Sequence, residues 1–228
     1  MGILDLFFPI NCLACNRDGK YICEACLGKV KTPRAVCPEC LRFSIDGKTH
    51  TKCLQPQGLN GLISLWQYGG VIRKAILVLK YKFAYQISEV LSEEAARIVR
   101  TRNYQFLIHS SFVLVPVPLY WLRKNRRGFN QSELIGRNLA RNLGWHYSPD
   151  LLIRRQMRVP QTELKREERL TNIHGIFALN PKSNLQNATY ILFDDVWTTG
   201  ATLKEAAKVL KRAGIKKIWG LTLARGVS

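Results

Sequence analysis

Four pairs of metal-ligand residues crowd the first quarter of the chain: Cys12-x2-Cys15, Cys23-x2-Cys26, Cys37-x2-Cys40 and His50-x2-Cys53. Two sulfur or nitrogen ligands three residues apart reach one ion, and zinc takes four such ligands in a tetrahedron. Eight ligands therefore make two sites. The simplest partition is sequential, with Cys12, Cys15, Cys23 and Cys26 on one ion and Cys37, Cys40, His50 and Cys53 on the other. Spacing alone leaves a cross-braced partition open, and also leaves open a His50 that is only a surface side chain. Both sites are filled by protein ligands, so two zinc ions here would be structural. A disulfide framework is disfavoured by the odd count of 7 cysteines and by a start, MGILDLFFPI, without a basic leader region.

A second constellation lies near the carboxyl terminus. Tyr190–Phe193 is apolar, Asp194 and Asp195 follow, and Val196-Trp197-Thr198-Thr199-Gly200-Ala201-Thr202 leads into a helical pattern. The reading is a buried strand ending in two carboxylates, then a turn that opens a helix. Ligands of open α/β sheets bind at the carboxyl ends of strands, and a helix N-terminus offers free N–H groups to a phosphate. Paired carboxylates accept hydrogen bonds from a vicinal diol. The stretch suits a sugar phosphate, although strand-end and helix-cap chemistry alone would also use these residue types. A P-loop is excluded, because Gly47-Lys48-Thr49 lacks the upstream glycine.

The elements that must position these groups show in the hydrophobic pattern. All cysteines fall between residues 12 and 53, which divides the chain into a cysteine module, 1–58, and an α/β domain, 59–228, with Leu54–Gly61 as linker. Leu62–Tyr68, Phe112–Val117, Thr189–Phe193 and Ile218–Leu223 read as strands. Continuous apolar runs such as the second and third suit a parallel sheet covered on both faces. Val71–Lys82, Ser88–Thr101, Gln131–Asn142 and Leu203–Ala213 read as helices, the last stopped by Gly214. Gln156–Gly175 is polar and reads as a long mobile loop. The fold class is α/β: an open, mostly parallel sheet with a small amino-terminal zinc module.

The 228 residues carry 35 Lys+Arg against 16 Asp+Glu, a net charge of +19. Such a surface suits an acidic partner, whether polyphosphate or nucleic acid. Tyr81, Phe83 and Tyr85 beside Lys80 and Lys82 are a candidate patch for single strands, although they could equally pack in a core. Mean hydropathy is −0.10 and no apolar run reaches membrane-spanning length, so no membrane insertion and a cytoplasmic location are expected.

The stretch Tyr190–Thr202 resembles the phosphoribosyl-pyrophosphate motif of type I phosphoribosyltransferases, with Trp197 where a branched aliphatic is more usual. Val115-Pro116-Val117-Pro118, Arg126-Arg127-Gly128-Phe129-Asn130-Gln131, Pro160-Gln161-Thr162, Arg169, Asn172 and Gly175-Ile176-Phe177 stand in the order seen in the ComF/GntX competence-protein family, as do the cysteine pairs. The resemblance implies a sheet of the type I phosphoribosyltransferase kind and a protein of natural transformation that handles imported single-stranded DNA. It implies that Asp194 and Asp195 hold the ribose diol and that Thr198, Thr199, Gly200, Ala201 and Thr202 hold the 5′-phosphate. Arg126 and Arg127 would face the pyrophosphate, which Mg²⁺ would accompany, and Gln161, Lys165 and Arg169 would belong to a flexible loop over the site. The activity implied is a phosphoribosyltransferase of unassigned acceptor. The alternative is a non-catalytic adaptor that binds a phosphoribosyl ligand together with single-stranded DNA or transformation proteins.

Overall fold

The computed structural model describes residues 10–79, 84–101, 104, 111–119, 128–155 and 175–226. The strands are β1 (Gly61–Gln67), β2 (Phe112–Pro116), β3 (His146–Tyr147), β4 (Leu152–Arg154), β5 (Phe177–Leu179), β6 (Thr189–Trp197) and β7 (Lys217–Arg225). The helices are α1 (Glu24–Gly28), α2 (Gly70–Val78), α3 (Ala84–Thr101), α4 (Gln131–Leu143) and α5 (Ala201–Arg212). Five strands form one sheet in the order β1-β7-β6-β2-β3, and every pairing in it is parallel. β4 and β5 make a separate antiparallel pair. The open parallel sheet expected from the sequence is present.

The parallel arrangement explains the strand composition. Helices must cross over each pair, so both faces are covered and a central strand has no wet side. All five residues of β2 are buried. On β6 the apolar residues alternate, with Ile191 and Phe193 joining the core under α2, α3 and α4. Tyr190 and Leu192 join the core under α5 and the β4–β5 pair. Helix α4 begins at Asn130, whose side-chain oxygen accepts the Ser132 N–H, and ends at Gly144 with φ 70. After α5, Gly214 (φ 94) donates its N–H to the Lys211 carbonyl and Ile215 donates to that of Leu210, so the expected glycine stop is in place.

Three boundaries differ from the sequence reading. β6 does not end at the carboxylates but runs on to Trp197, because β7 lies beside it with Thr222, Ala224 and Arg225 opposite Asp194, Val196 and Trp197. α2 covers Gly70–Val78 with Leu79 as its cap, short of the expected Lys82, and residues 80–83 lie outside the described residues. The expected linker is linker-like only in its first half. Gly58 and Leu59 are buried, and Asn60 is sewn to β7: its N–H donates to the Ile218 carbonyl, while its Oδ1 accepts from Ile218 N–H and Lys211 Nζ.

The cysteine region packs directly on the sheet. Ile22 enters the core of the α4 face and Val36 and Leu59 that of the α5 face. Lys48 bridges to Gly61 at the start of β1, and Gln67 N–H donates to the Lys31 carbonyl at its end. Gly47 has φ 73, and a Cβ there would stand 2.0 Å from the Leu62 carbonyl oxygen, so only glycine permits this approach. Among the described residues no helix is long and apolar enough to cross a membrane.

Candidate functional site

The two cysteine clusters are built by one repeated turn. Cys12 and Cys37 each have a carbonyl accepting the N–H four residues on, from Asn16 and Leu41, and each donates its own N–H five residues on, to Arg17 and Arg42. Asn16 (φ 61) and Leu41 (φ 59) both adopt the left-handed conformation that lets the chain double back. The ligand atoms of Cys12, Cys15, Cys23 and Cys26 lie within 4.8 Å of one another, as do those of Cys37, Cys40, His50 and Cys53. The grouping is therefore sequential and includes His50.

The donor sets fit a tetrahedral cation. Cys15 Sγ and Cys23 Sγ are 3.6 Å apart, and Cys40 Sγ and His50 Nδ1 are 3.4 Å apart. A zinc tetrahedron with bonds of about 2.3 Å has edges of about 3.8 Å. His50 Nε2 lies 2.9 Å from the Phe43 carbonyl. Placing the proton on Nε2 leaves Nδ1 as the ligand nitrogen, the arrangement that second-shell carbonyls impose on metal-bound histidine.

Burial opposes ionisation of Cys12, but the backbone N–H groups of Cys15, Cys23 and Ala14 outweigh it and bring the pKa down to about 6. Burial is likewise outweighed at Cys37, which is lowered by the N–H groups of Cys40, His50 and Glu39. Hydrogen bonds to Cys15 and Cys23 hold Cys26 up at about 12, and burial and Cys40 hold Cys53 at about 11. Thiols that cannot all ionise by themselves, yet converge on one point, are completed by a divalent cation. Both clusters could hold zinc.

The second constellation sits at the carboxyl edge of the sheet. From β2 the chain turns outward through α4 to β3; from β6 it turns the other way through α5 to β7. The strand order reverses between β2 and β6, and such switch points open a crevice at the carboxyl ends. Asp194 of β6 meets Ser132 of α4 there, the Ser132 hydroxyl donating to Asp194 Oδ1 at 3.0 Å. The same oxygen accepts the Asp195 N–H at 2.9 Å. Asn130 holds this end of α4 by donating from Nδ2 to the Val117 carbonyl and to Glu133 Oε1.

Burial and the adjacent Asp195 carboxylate raise Asp194 to about 7, against the lowering influence of the Asp195 N–H, Ser132 and Arg154. Thr198 and Thr199 are exposed, and the Thr199 hydroxyl accepts the Ala201 N–H at 3.3 Å. Gly200 (φ 76) starts α5 with no side-chain cap of its own. A Cβ at Gly200 would meet Trp197 Cζ2 at 2.1 Å, so the indole packs directly against this glycine. Trp197 Nε1 and Gln131 Nε2 are the two buried side-chain nitrogens without a hydrogen-bond partner among the described residues.

The structure thus brings together Asp194, Asp195, Thr198, Thr199, Gly200, Ala201 and Thr202. Arg126, Arg127, Gln161, Lys165 and Arg169 lie outside the described residues, as do Tyr81 and Phe83 of the aromatic patch. Sequence reasoning missed Ser132, although it directly follows the Arg126–Gln131 motif. It also missed Arg154, whose charge acts on Asp194, and Glu205, a buried α5 carboxylate that accepts the Gly175 N–H at 2.8 Å. None of the three carries a local signal.

No family model matches the chain. Competence protein F of Haemophilus influenzae is 28% identical over 96% of this chain and 99% of its own. The DNA utilization protein YhgH of Escherichia coli is 30% identical over 88% of this chain and 89% of its own. The chain belongs to the ComF competence-protein family. Within the ComF family the competence protein ComFC of Bacillus subtilis is 28% identical over 89% of this chain and 78% of its own. Among solved structures, a hypoxanthine phosphoribosyltransferase from Staphylococcus aureus overlays on 60% of this chain and 62% of its own. The TM-score is 0.38 at 14% identity, an overlap too slight to bear on function.

Metal analysis of protein purified without chelator should return close to two zinc ions per chain, and Cys12→Ser should lose one of them. A ratio near one that His50→Ala leaves unchanged would reject the second site. Asp194 makes a separate prediction. Its folded pKa is raised, so the folded state holds the proton more tightly than the unfolded chain. That contribution is full below the ordinary value of 3.8 and is lost as pH rises to about 7. Asp194→Asn should therefore gain about 1–2 kcal/mol of stability relative to wild type between about pH 5.5 and about pH 8. Urea unfolding at the two pH values measures it, and an unchanged difference would place Asp194 in a different electrostatic setting.

Proposed function

We propose that this ComF-family chain binds phosphoribosyl pyrophosphate at the carboxyl end of β6 and works in the handling of DNA. The observation that carries the ligand reading is the position of Asp194: a carboxylate with raised pKa at the sheet's switch point, next to a helix N-terminus entered through a left-handed glycine. Asp194 and Asp195 would accept the ribose hydroxyls. The Thr198–Thr202 turn would take the 5′-phosphate on its backbone N–H groups and hydroxyls. Arg126 and Arg127 would take the pyrophosphate, and Gln161, Lys165 and Arg169 would lie on the loop over it. Mg²⁺ would enter with the diphosphate and neutralise charge on the leaving group.

The reaction class is displacement at C1′. A nitrogen nucleophile forms the new bond, the C1′–O bond breaks, and its electron pair leaves with pyrophosphate. The DNA-handling part rests on relatives named for competence and for DNA utilization. The +19 charge also favours a second reading, an adaptor that binds the phosphoribosyl ligand without turnover. Retained binding with no pyrophosphate released against nucleobases, amines or single-stranded DNA would select the adaptor.

Phosphoribosyl pyrophosphate with Mg²⁺ should raise the melting temperature, corresponding to about 2.7 kcal/mol at a hundredfold excess over its dissociation constant. Asp194→Ala with Asp195→Ala should abolish the shift and leave the zinc content alone. A double variant that binds like wild type would mean the ligand sits elsewhere.

A further inference from the structure

Exposed apolar side chains are concentrated on the second metal knuckle. Of the seven large ones among the described residues, four lie within residues 41–54: Leu41 at 48% exposure, Phe43 at 52%, Ile45 at 71% and Leu54 at 51%. A module this small cannot bury every apolar side chain, so exposure alone proves little. The surroundings add more. The Arg34 guanidinium stands 4.5 Å from the Phe43 ring centroid. Arg42, Lys48 and Lys52 are exposed on the same turn. Both acidic residues of the knuckle are engaged by lysines, Glu39 by Lys204 at 2.9 Å and Asp46 by Lys48 at 3.9 Å.

The platform is also rigid and well placed. The Phe43 carbonyl is held by His50 Nε2, whose other nitrogen faces the cluster, and Phe43 is bridged to Val36 across the turn. The Arg34 carbonyl accepts from Arg225 Nη2 at 2.7 Å, and Arg225 pairs with Trp197 in the sheet. Lys204, which holds Glu39, lies in the first turn of α5. Two independent ties therefore fix the knuckle at the sheet edge that carries Asp194.

We infer that the second metal knuckle is a stacking surface for single-stranded nucleic acid, with Phe43 as the base platform and Arg34, Arg42 and Lys52 along the backbone. This deepens the DNA-handling reading and rests on it. The physical reasons are specific to single strands. An exposed ring among cations matches a polyanion whose bases show open π faces, and a duplex hides those faces. An acidic protein partner would use the cations and apolar atoms alike but would not depend on an aromatic ring, which the Phe43 variants test.

The test uses the full zinc-loaded chain and a fluorescein-labelled oligothymidylate, read by anisotropy at low and at moderate salt. Phe43→Ala should weaken binding roughly fivefold to a hundredfold, the loss expected of one stacked base. Phe43→Trp should keep or tighten it. The slope of log affinity against log salt should be unchanged by Phe43→Ala, which removes no phosphate contact, and flattened by Arg42→Glu with Lys52→Glu. Zinc content and the thermal shift by phosphoribosyl pyrophosphate should stay as in wild type, so this surface can fail while the sugar-phosphate site stands. Binding by Phe43→Ala equal to wild type with zinc retained would overturn the inference. So would equal binding to a duplex, or no binding by wild type at low salt.

Discussion

Asp194 is a carboxylate set into a central strand of a sheet covered on both faces, and the rest of the site is arranged around the cost of keeping it there. Partly withdrawn from water and set beside Asp195, it is driven toward the protonated state. The Asp195 N–H and Ser132 offset this by hydrogen bonds, and Arg154 by its charge. Ser132 can do so because Asn130 caps α4 and ties it to the end of β2. Asp194 stands at the carboxyl edge where the chain leaves β2 and β6 in opposite directions. A pure stability argument would place an apolar residue here. Keeping a carboxylate with a raised pKa at the sheet's switch point is the pattern of a functional position.

The cysteine clusters belong to the same construction. Metal bound there would let a short segment hold a fixed shape with little core of its own, and that segment covers the β1–β7 side of the sheet. Its ties are distributed over both cores, the two ends of β1, and the Glu39–Lys204 and Arg34–Arg225 contacts. The second knuckle is consequently held against the first turn of α5.

Much of this was legible in the chain because the determining interactions are local. Cysteine spacing specifies a knuckle without reference to the remainder of the protein. Continuous apolar runs announce a doubly covered parallel sheet, and Gly214 stops α5 as its position suggests. What escaped was set by partners far away in sequence. β6 continues through Asp195 to Trp197 because β7 supplies the ladder. Ser132 meets Asp194 across 62 residues. Gly200 is demanded as much by the Trp197 ring packed against it as by the turn, and Asn60 is fixed by Ile218 of β7 rather than free in a linker.

Amide hydrogen exchange on the zinc-loaded protein, with and without phosphoribosyl pyrophosphate and Mg²⁺, addresses the central claim most directly. The β6–α5 turn and the start of α4 should be slowed by the ligand, since their N–H groups and the Asp194 crevice would close around it, while both cysteine clusters exchange as before. Unchanged exchange across residues 194–204, with protection appearing elsewhere or not at all, would contradict a sugar-phosphate site at the carboxyl end of β6.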